Sequence, residues 1–128
     1  MALVLHESAE MYLETIYRLH QATSVVRAVD IAQVMGYSKP TISEWMSKLR
    51  AAGYVKPAQG SSIELTDEGT QIAEKIFGRH VALTKIFEHV GVRPDVAQAD
   101  ACRVEHYISD ETFDCLKAYF AKAAGPKA

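Results

Sequence analysis

Long apolar runs are missing from the sequence. Nowhere does it hold the ~18–20 consecutive apolar residues that a membrane crossing needs, which excludes a membrane-spanning role. Cysteine is scarce, at two residues in 128, so no disulfide framework is available and a cytoplasmic location is expected. The start, Met1 to His6, is too short for a secretion signal and lacks its basic flank. Internal repeats, low-complexity tracts and a long linker are also missing. Positive charge is not in excess: the formal net charge is −2. That excludes a polybasic coat for nucleic acid, but not a binder whose charge is locally uneven.

What remains is an ordinary folded chain. The apolar share is 48% and the charged share 23%, close to globular averages. The length suits one domain, or two small ones sharing a core. Residues 1–60 carry six Lys/Arg against five Asp/Glu, and residues 61–128 carry eight against eleven. A polyanionic partner should therefore meet the first half.

Helical signals dominate. Ser8 is a candidate N-cap for a helix from Ala9 to His20, with Leu13, Ile16 and Tyr17 on one side. A second helix, about Val29 to Met35, should close at Gly36. Ser38 then caps a third, with Pro40 in its first turn, which stops at Gly53. Tyr54–Pro57 and Ser62–Leu65 read as two short strands flanking a turn that includes Gln59. Thr66 should cap a long helix through His89. Another helix follows from Arg93-Pro94-Asp95 to about Tyr107, and Ser109 caps a last one, Asp110 to Ala123. The end, Gly125 to Ala128, should fray. The expected fold is mainly α, three helices, a small hairpin and three more helices, dividing into residues 1–65 and residues 66–128.

Two helices joined by Gly36-Tyr37-Ser38 and followed by a hairpin have the layout of a DNA reader, whose second helix enters the major groove by its N-terminal end. Here that end offers Ser38, Lys39, Pro40, Thr41, Ser43 and Glu44, with Lys48, Arg50 and Lys56 placed for the flanking phosphates. Glu44 repels phosphate but can accept from a cytosine amino group. Ile31, Val34, Ile42, Trp45, Met46 and Leu49 should hold the pair together. The same scaffold also serves adaptors that bind only protein. So few basic groups imply that two subunits are needed for firm DNA binding.

The sharpest chemistry lies in Cys102-Arg103-Val104-Glu105-His106. On a helix, Cys102, Glu105 and His106 share a face and offer sulfur, oxygen and nitrogen to one point, a set suited to a divalent first-row metal. Further donors are His80 on the long helix, and Met11 and Glu14 three apart on the first. Each has a plainer reading: Met11 as packing, His80 as a hydrogen-bonded residue, Cys102 as a small buried group. His6, His20 and His89 read as surface residues and Cys115 as packing. A redox regulator would instead use Cys102 activated by His106, but a resolving cysteine, a glycine loop and a third orienting group are missing. The chain therefore reads as a regulator and not an enzyme.

Taken in order, Ser8 to Tyr17, Ser38-Lys39-Pro40-Thr41-Ile42-Ser43, Leu65-Thr66-Asp67-Glu68-Gly69, Arg79-His80 and Asp100 to His106 resemble the diphtheria toxin repressor/manganese transport regulator family of iron- and manganese-dependent repressors. The resemblance implies a winged helix-turn-helix DNA-binding domain over residues 1–65, a helical metal-binding and dimerisation domain over residues 66–128, and metal-activated binding of a homodimer to double-stranded operator DNA. Met11, Cys102, Glu105 and His106 resemble the activating site of the iron-responsive branch, while Glu14 and His80 resemble ligands of the manganese branch. The chain departs from both. The manganese branch has carboxylates at the positions of Met11 and Cys102. The iron branch has its second-site glutamate and histidine where Thr84 and Gln98 stand, and a third, SH3-like domain that is expected to be missing here.

Thioether and thiolate donors shift preference from Mn²⁺ toward softer ions. Fe²⁺ is therefore the expected signal and Mn²⁺ the alternative, with Zn²⁺, Co²⁺ or Ni²⁺ able to substitute in vitro. A cation would offset the acidic donors and tie the halves of the chain, spacing two recognition helices about one DNA turn apart (~34 Å). Phe113, Leu116, Tyr119 and Phe120 form an apolar stripe expected either at the dimer contact or in the core.

Overall fold

The computed structural model describes residues 2–58 and 60–123. Six helices lie among them: α1 Ala2–Ala22, α2 Ala28–Met35, α3 Lys39–Ala51, α4 Asp67–His89, α5 Pro94–Val104 and α6 Asp110–Ala123. The expected fraying end at Gly125–Ala128, the turn residue Gln59 and the side chain of His6 lie outside the described residues.

Most helix ends follow their local signals. Gly36 adopts φ 75°, a left-handed value that costs a side-chain-bearing residue energy, and its N–H closes α2 on the Ala32 carbonyl at 2.9 Å. The Ser38 hydroxyl accepts from the Thr41 N–H at 3.4 Å and caps α3. Thr66 accepts from the Gly69 N–H at 3.1 Å, and Ser109 from the Thr112 N–H at 3.1 Å, capping α4 and α6.

Several expectations give way. Ser8 does not cap α1, which already starts at Ala2. The apolar residues before Ser8 favour helix and neither glycine nor proline interrupts them. Among the described residues the two strands reduce to isolated bridging, with Val55 antiparallel to Leu65, flanked by hydrogen bonds from Lys56 N–H to Glu64 O (2.8 Å) and Thr66 N–H to Tyr54 O (3.0 Å). Pro57 lacks an N–H and cannot extend the ladder. α5 ends at Val104, not near Tyr107; the Tyr107 N–H bonds three residues back to Val104 O, a tighter turn that ends the α-helical pattern.

One compact unit ends at Lys75 and a second begins at Ile76, so the division falls within α4. In the first, Leu13 and Ile16 of α1 meet Ile31 of α2, Ile42, Met46 and Leu49 of α3, and Val55 and Ile63 of the hairpin. The α3 residues recur at i, i+4 and i+7, one helix face. Val34 is 61% exposed instead, because Ile31 and Met35 already supply the inward edge of the short α2. Tyr12 stacks on Trp45, ring centroids 5.0 Å apart. The hairpin is tied down by Ile63 N–H to Val26 O at 2.7 Å. His20, expected at the surface, is half-buried with Nε2 2.8 Å from Ile63 O.

The second unit has a smaller core of Leu83, Ala101 and Phe113. Phe113 is drawn inward while Tyr119 is 68% exposed, so the apolar stripe of α6 divides between core and surface. Cys115, expected to pack, is exposed.

Candidate metal centre and DNA-reading helix

The start of α3 is an open surface. Ser38, Lys39, Pro40, Ser43, Glu44 and Lys48 are exposed and Thr41 is half-buried. The Ser38 and Thr41 hydroxyls lie 3.0 Å apart. Ser38 thus meets both the N–H and the hydroxyl of Thr41. The Lys48 ammonium stands 4.6 Å from the centroid of the Trp45 ring, a cation–π contact that holds the side chain along α3. Arg50 is committed to the hairpin, its Nε donating to Lys56 O at 3.1 Å. Lys56 pairs with Glu64 at 3.6 Å.

On α1, Met11 is half-buried and lines a small cavity with Met35 and Trp45. Its backbone carbonyl accepts from the Thr15 hydroxyl at 2.8 Å. Glu14 is buried with Arg18 Nη1 3.6 Å from its Oε2.

The second unit gathers the other four candidates. His80 is buried on α4, and Glu105 is wholly buried at the C-cap of α5. His80 Nδ1 lies 2.9 Å from Glu105 Oε1 and 3.7 Å from the Cys102 sulfur. His106 Nε2 lies 3.2 Å from the other oxygen, Glu105 Oε2. Both oxygens of this buried carboxylate thus have an imidazole beside them, and the hydrogen bond at Oε1 offsets part of the cost of removing the group from water. Cys102, one turn earlier, is an exposed residue whose sulfur stays in reach of His80.

These donors fit a transition metal. The imidazole nitrogen, the sulfur and a Glu105 oxygen all lie within 4.8 Å of one another. Two donors bound to one ion at about 2.0–2.3 Å stand no more than about 4.6 Å apart, a limit that the His80–Glu105 and His80–Cys102 distances of 2.9 and 3.7 Å meet. The mixed sulfur, nitrogen and oxygen character suits a borderline divalent ion.

One participant was not picked out for this work by sequence reasoning. Arg79 is buried, and its Nη1 donates to the backbone carbonyls of Glu105 (3.3 Å) and Ile108 (2.9 Å). Its Nη2 is paired with the Asp110 carboxylate, and its guanidinium lies 5.3 Å from the Phe113 ring centroid. The only sequence signal was an arginine next to His80, and nothing local in such a pair indicates where the guanidinium goes.

Comparison with known proteins matches the chain in two consecutive pieces. Residues 4–61 match the family "Iron dependent repressor, N-terminal DNA binding domain". Residues 66–124 match "Iron dependent repressor, metal binding and dimerisation domain". The transcriptional regulator MntR of Escherichia coli O6:H1 is 30% identical over 116 residues, covering 91% of this chain and 75% of that protein. The diphtheria toxin repressor of Corynebacterium glutamicum is 32% identical over 106 residues, covering 82% of this chain and 46% of that one. Among solved structures, a manganese-dependent transcriptional repressor complex with manganese superposes with TM-score 0.77 at 29% identity, over 87% of this chain and 51% of that one. The manganese regulator SloR gives 0.73 at 26% identity, over 88% and 53%. The chain thus spans about half the length of these solved relatives.

Proposed function

The chain belongs to the iron-dependent repressor family, and from that premise we propose that it is a metal-dependent transcriptional repressor that binds operator DNA as a homodimer when Fe²⁺ occupies its donor set. Residues 1–65 read the DNA, residues 66–128 bind metal and dimerise, and the protein acts in the cytoplasm on genes of metal-ion uptake. The observation that carries this reading is the meeting of His80, Cys102 and Glu105, three kinds of donor at one point, in the half matched to the metal-binding family model.

His80, Cys102, Glu105 and His106 are the ligands of this unit, with Met11 and Glu14 the donors that the sequence pattern assigns on α1. When bound, a divalent cation supplies positive charge that offsets the acidic donors. To serve as ligands, Cys102 must give up its thiol proton and both imidazoles must present a neutral nitrogen. A thiolate favours Fe²⁺ over Mn²⁺, although Mn²⁺ is the ion named for several relatives and is the alternative. Zn²⁺, Co²⁺ and Ni²⁺ should bind in vitro at least as tightly, because affinity rises along that series. On α3, Ser38, Lys39, Pro40, Thr41, Ser43, Glu44 and Lys48 face the operator. By linkage, DNA must tighten metal binding by the factor through which metal tightens DNA binding.

A second reading rests on the exposure of Cys102 and its 3.7 Å approach to His80 Nδ1, which also suit a reactive thiol in a redox regulator.

An anaerobic titration separates the two. Fluorescence anisotropy of a labelled inverted repeat from the promoter beside the protein's own gene should rise on adding Fe²⁺ to the wild type. Glu105→Ala and His106→Ala should lose that response while remaining folded dimers. Fe²⁺ should protect Cys102 from iodoacetamide. A normal metal response in either variant refutes the ligand assignment, and thiol labelling indifferent to metal favours the redox reading.

A further inference from the structure

Three features outside the donor set stand out: the cavity beside Met11 and Met35, the exposed thiol of Cys115, and buried Arg79. Arg79 carries the inference furthest, because its contacts end on the segment that bears two of the donors. A guanidinium offers five N–H groups in a rigid planar fork. Arg79 directs Nη1 at two carbonyls three residues apart in sequence, those of Glu105 and Ile108, and Nη2 at the Asp110 carboxylate that opens α6. It thus pins the end of α5, the Tyr107 turn and the start of α6 from one point. Glu105 and His106 stand inside the pinned stretch, at and just past the end of the helix, where the backbone bonds are few: Glu105 N–H to Ala101 O, and the Tyr107 and Ile108 N–H groups sharing Val104 O. On α4, Arg79 directly precedes His80, so the same turn of helix that supplies a donor also supplies the clamp on its partner.

We propose that Arg79 is the positioning residue of the metal site: by holding the Glu105 and Ile108 carbonyls and the Asp110 carboxylate, it sets Glu105 and His106 against His80 before any ion arrives. This rests on the metal-site reading above and deepens it. Without the clamp, those few backbone bonds are left to hold the turn after Val104, the Glu105 and Ile108 carbonyls lose their anchor, and affinity falls by the cost of fixing the looser turn on binding. Residues that orient ligands in this way typically carry about 10–100-fold in metal affinity. Lysine keeps the charge of arginine but is a point donor on a flexible stem, so Arg79→Lys removes the fork while leaving the charge to offset Asp110.

The test is an anaerobic Co²⁺ titration of the full chain, read by visible ligand-field bands and by the near-ultraviolet thiolate-to-cobalt band, beside thermal melts of the metal-free protein. Arg79→Lys should stay folded, bind Co²⁺ about 10–100-fold more weakly, and show altered ligand-field bands. Asp110→Asn, which loosens one arm of the clamp at an exposed position, should give a smaller loss in the same direction. A folded Arg79→Lys with wild-type Co²⁺ affinity and spectrum overturns the proposal, even if its melting point falls, since a purely structural role would lower stability alone. If Arg79→Lys does not fold, Asp110→Asn decides: unchanged affinity there overturns the proposal. A wild type that takes up no Co²⁺ refutes the metal-site reading itself and removes the proposal with it.

Discussion

Tyr12 shows how much a single residue can be asked to do. Its ring is buried and stacked on Trp45, which joins α1 to α3. Its hydroxyl is buried and has no hydrogen-bond partner among the described residues, and a buried unsatisfied hydroxyl costs about 1–3 kcal/mol. Tyr12→Phe should therefore leave the fold intact and raise stability by about 1 kcal/mol near pH 7, measured by urea denaturation. Burial first, and the neighbouring Tyr37 second, raise the Tyr12 pKa above its ordinary value of 10.0. The folded state thus holds this proton more tightly than the unfolded chain does. The associated stability is complete below pH 10 and is lost as pH climbs through the folded value. Wild type should lose stability above pH 10 by a margin that Tyr12→Phe does not share.

Among the elements, α4 shows how a helix start can set a hairpin. Thr66 caps it through the Gly69 N–H and donates its own proton to Gly53 O at 2.7 Å, so one hydroxyl joins the end of the α3 segment to the start of α4. Gly69 lies in the first turn against the hairpin backbone. A β-carbon there would stand 2.1 Å from the Tyr54 carbonyl oxygen, and backbone cannot move aside as a flexible side chain can. Gly69→Ala, a change that ordinarily favours a helix, should here destabilise the protein by about 1–3 kcal/mol through overpacking. It should also weaken operator binding by displacing the hairpin. A thermal melt with an anisotropy titration checks both, and a gain in stability would contradict the packing.

For the whole molecule, the sparse positive charge governs how DNA can be held. With residues 1–60 carrying an excess of one positive charge, a single chain neutralises few phosphates, and affinity in salt scales with the number neutralised. Dimerisation doubles that number, and the family to which the chain belongs dimerises through the domain matched at residues 66–124. On α6, Phe113 is spent on the chain's own core and Phe120 meets His89 edge-on at 5.5 Å, leaving Tyr119 as the exposed apolar group of the stripe. Tyr119→Asp should shift the protein toward monomer in sedimentation velocity. It should also reduce the salt dependence of metal-activated DNA binding to about half the wild-type slope. A variant that remains a full dimer would place the contact elsewhere.

The sequence alone determined whatever depends on neighbours a few residues apart. Gly36, Ser38, Thr66 and Ser109 mark helix ends because left-handed backbone and capping hydroxyls act within one turn, and the α3 surface followed from Ser38. Resemblance over short motifs led to the family, which the matches over residues 4–61 and 66–124 establish. At His20 a distant partner, the Ile63 carbonyl, prevailed over the local signal, whereas at Ser8, at the strands, at Val34 and at the end of α5 one local signal outweighed another. Tertiary structure alone decided that both oxygens of Glu105 meet imidazoles, one of them from a helix 25 residues away, and that the Arg79 guanidinium clamps acceptors 26 to 31 residues along the chain. Contacts at that separation arise from how helices pack, and no spacing within a single helix encodes them.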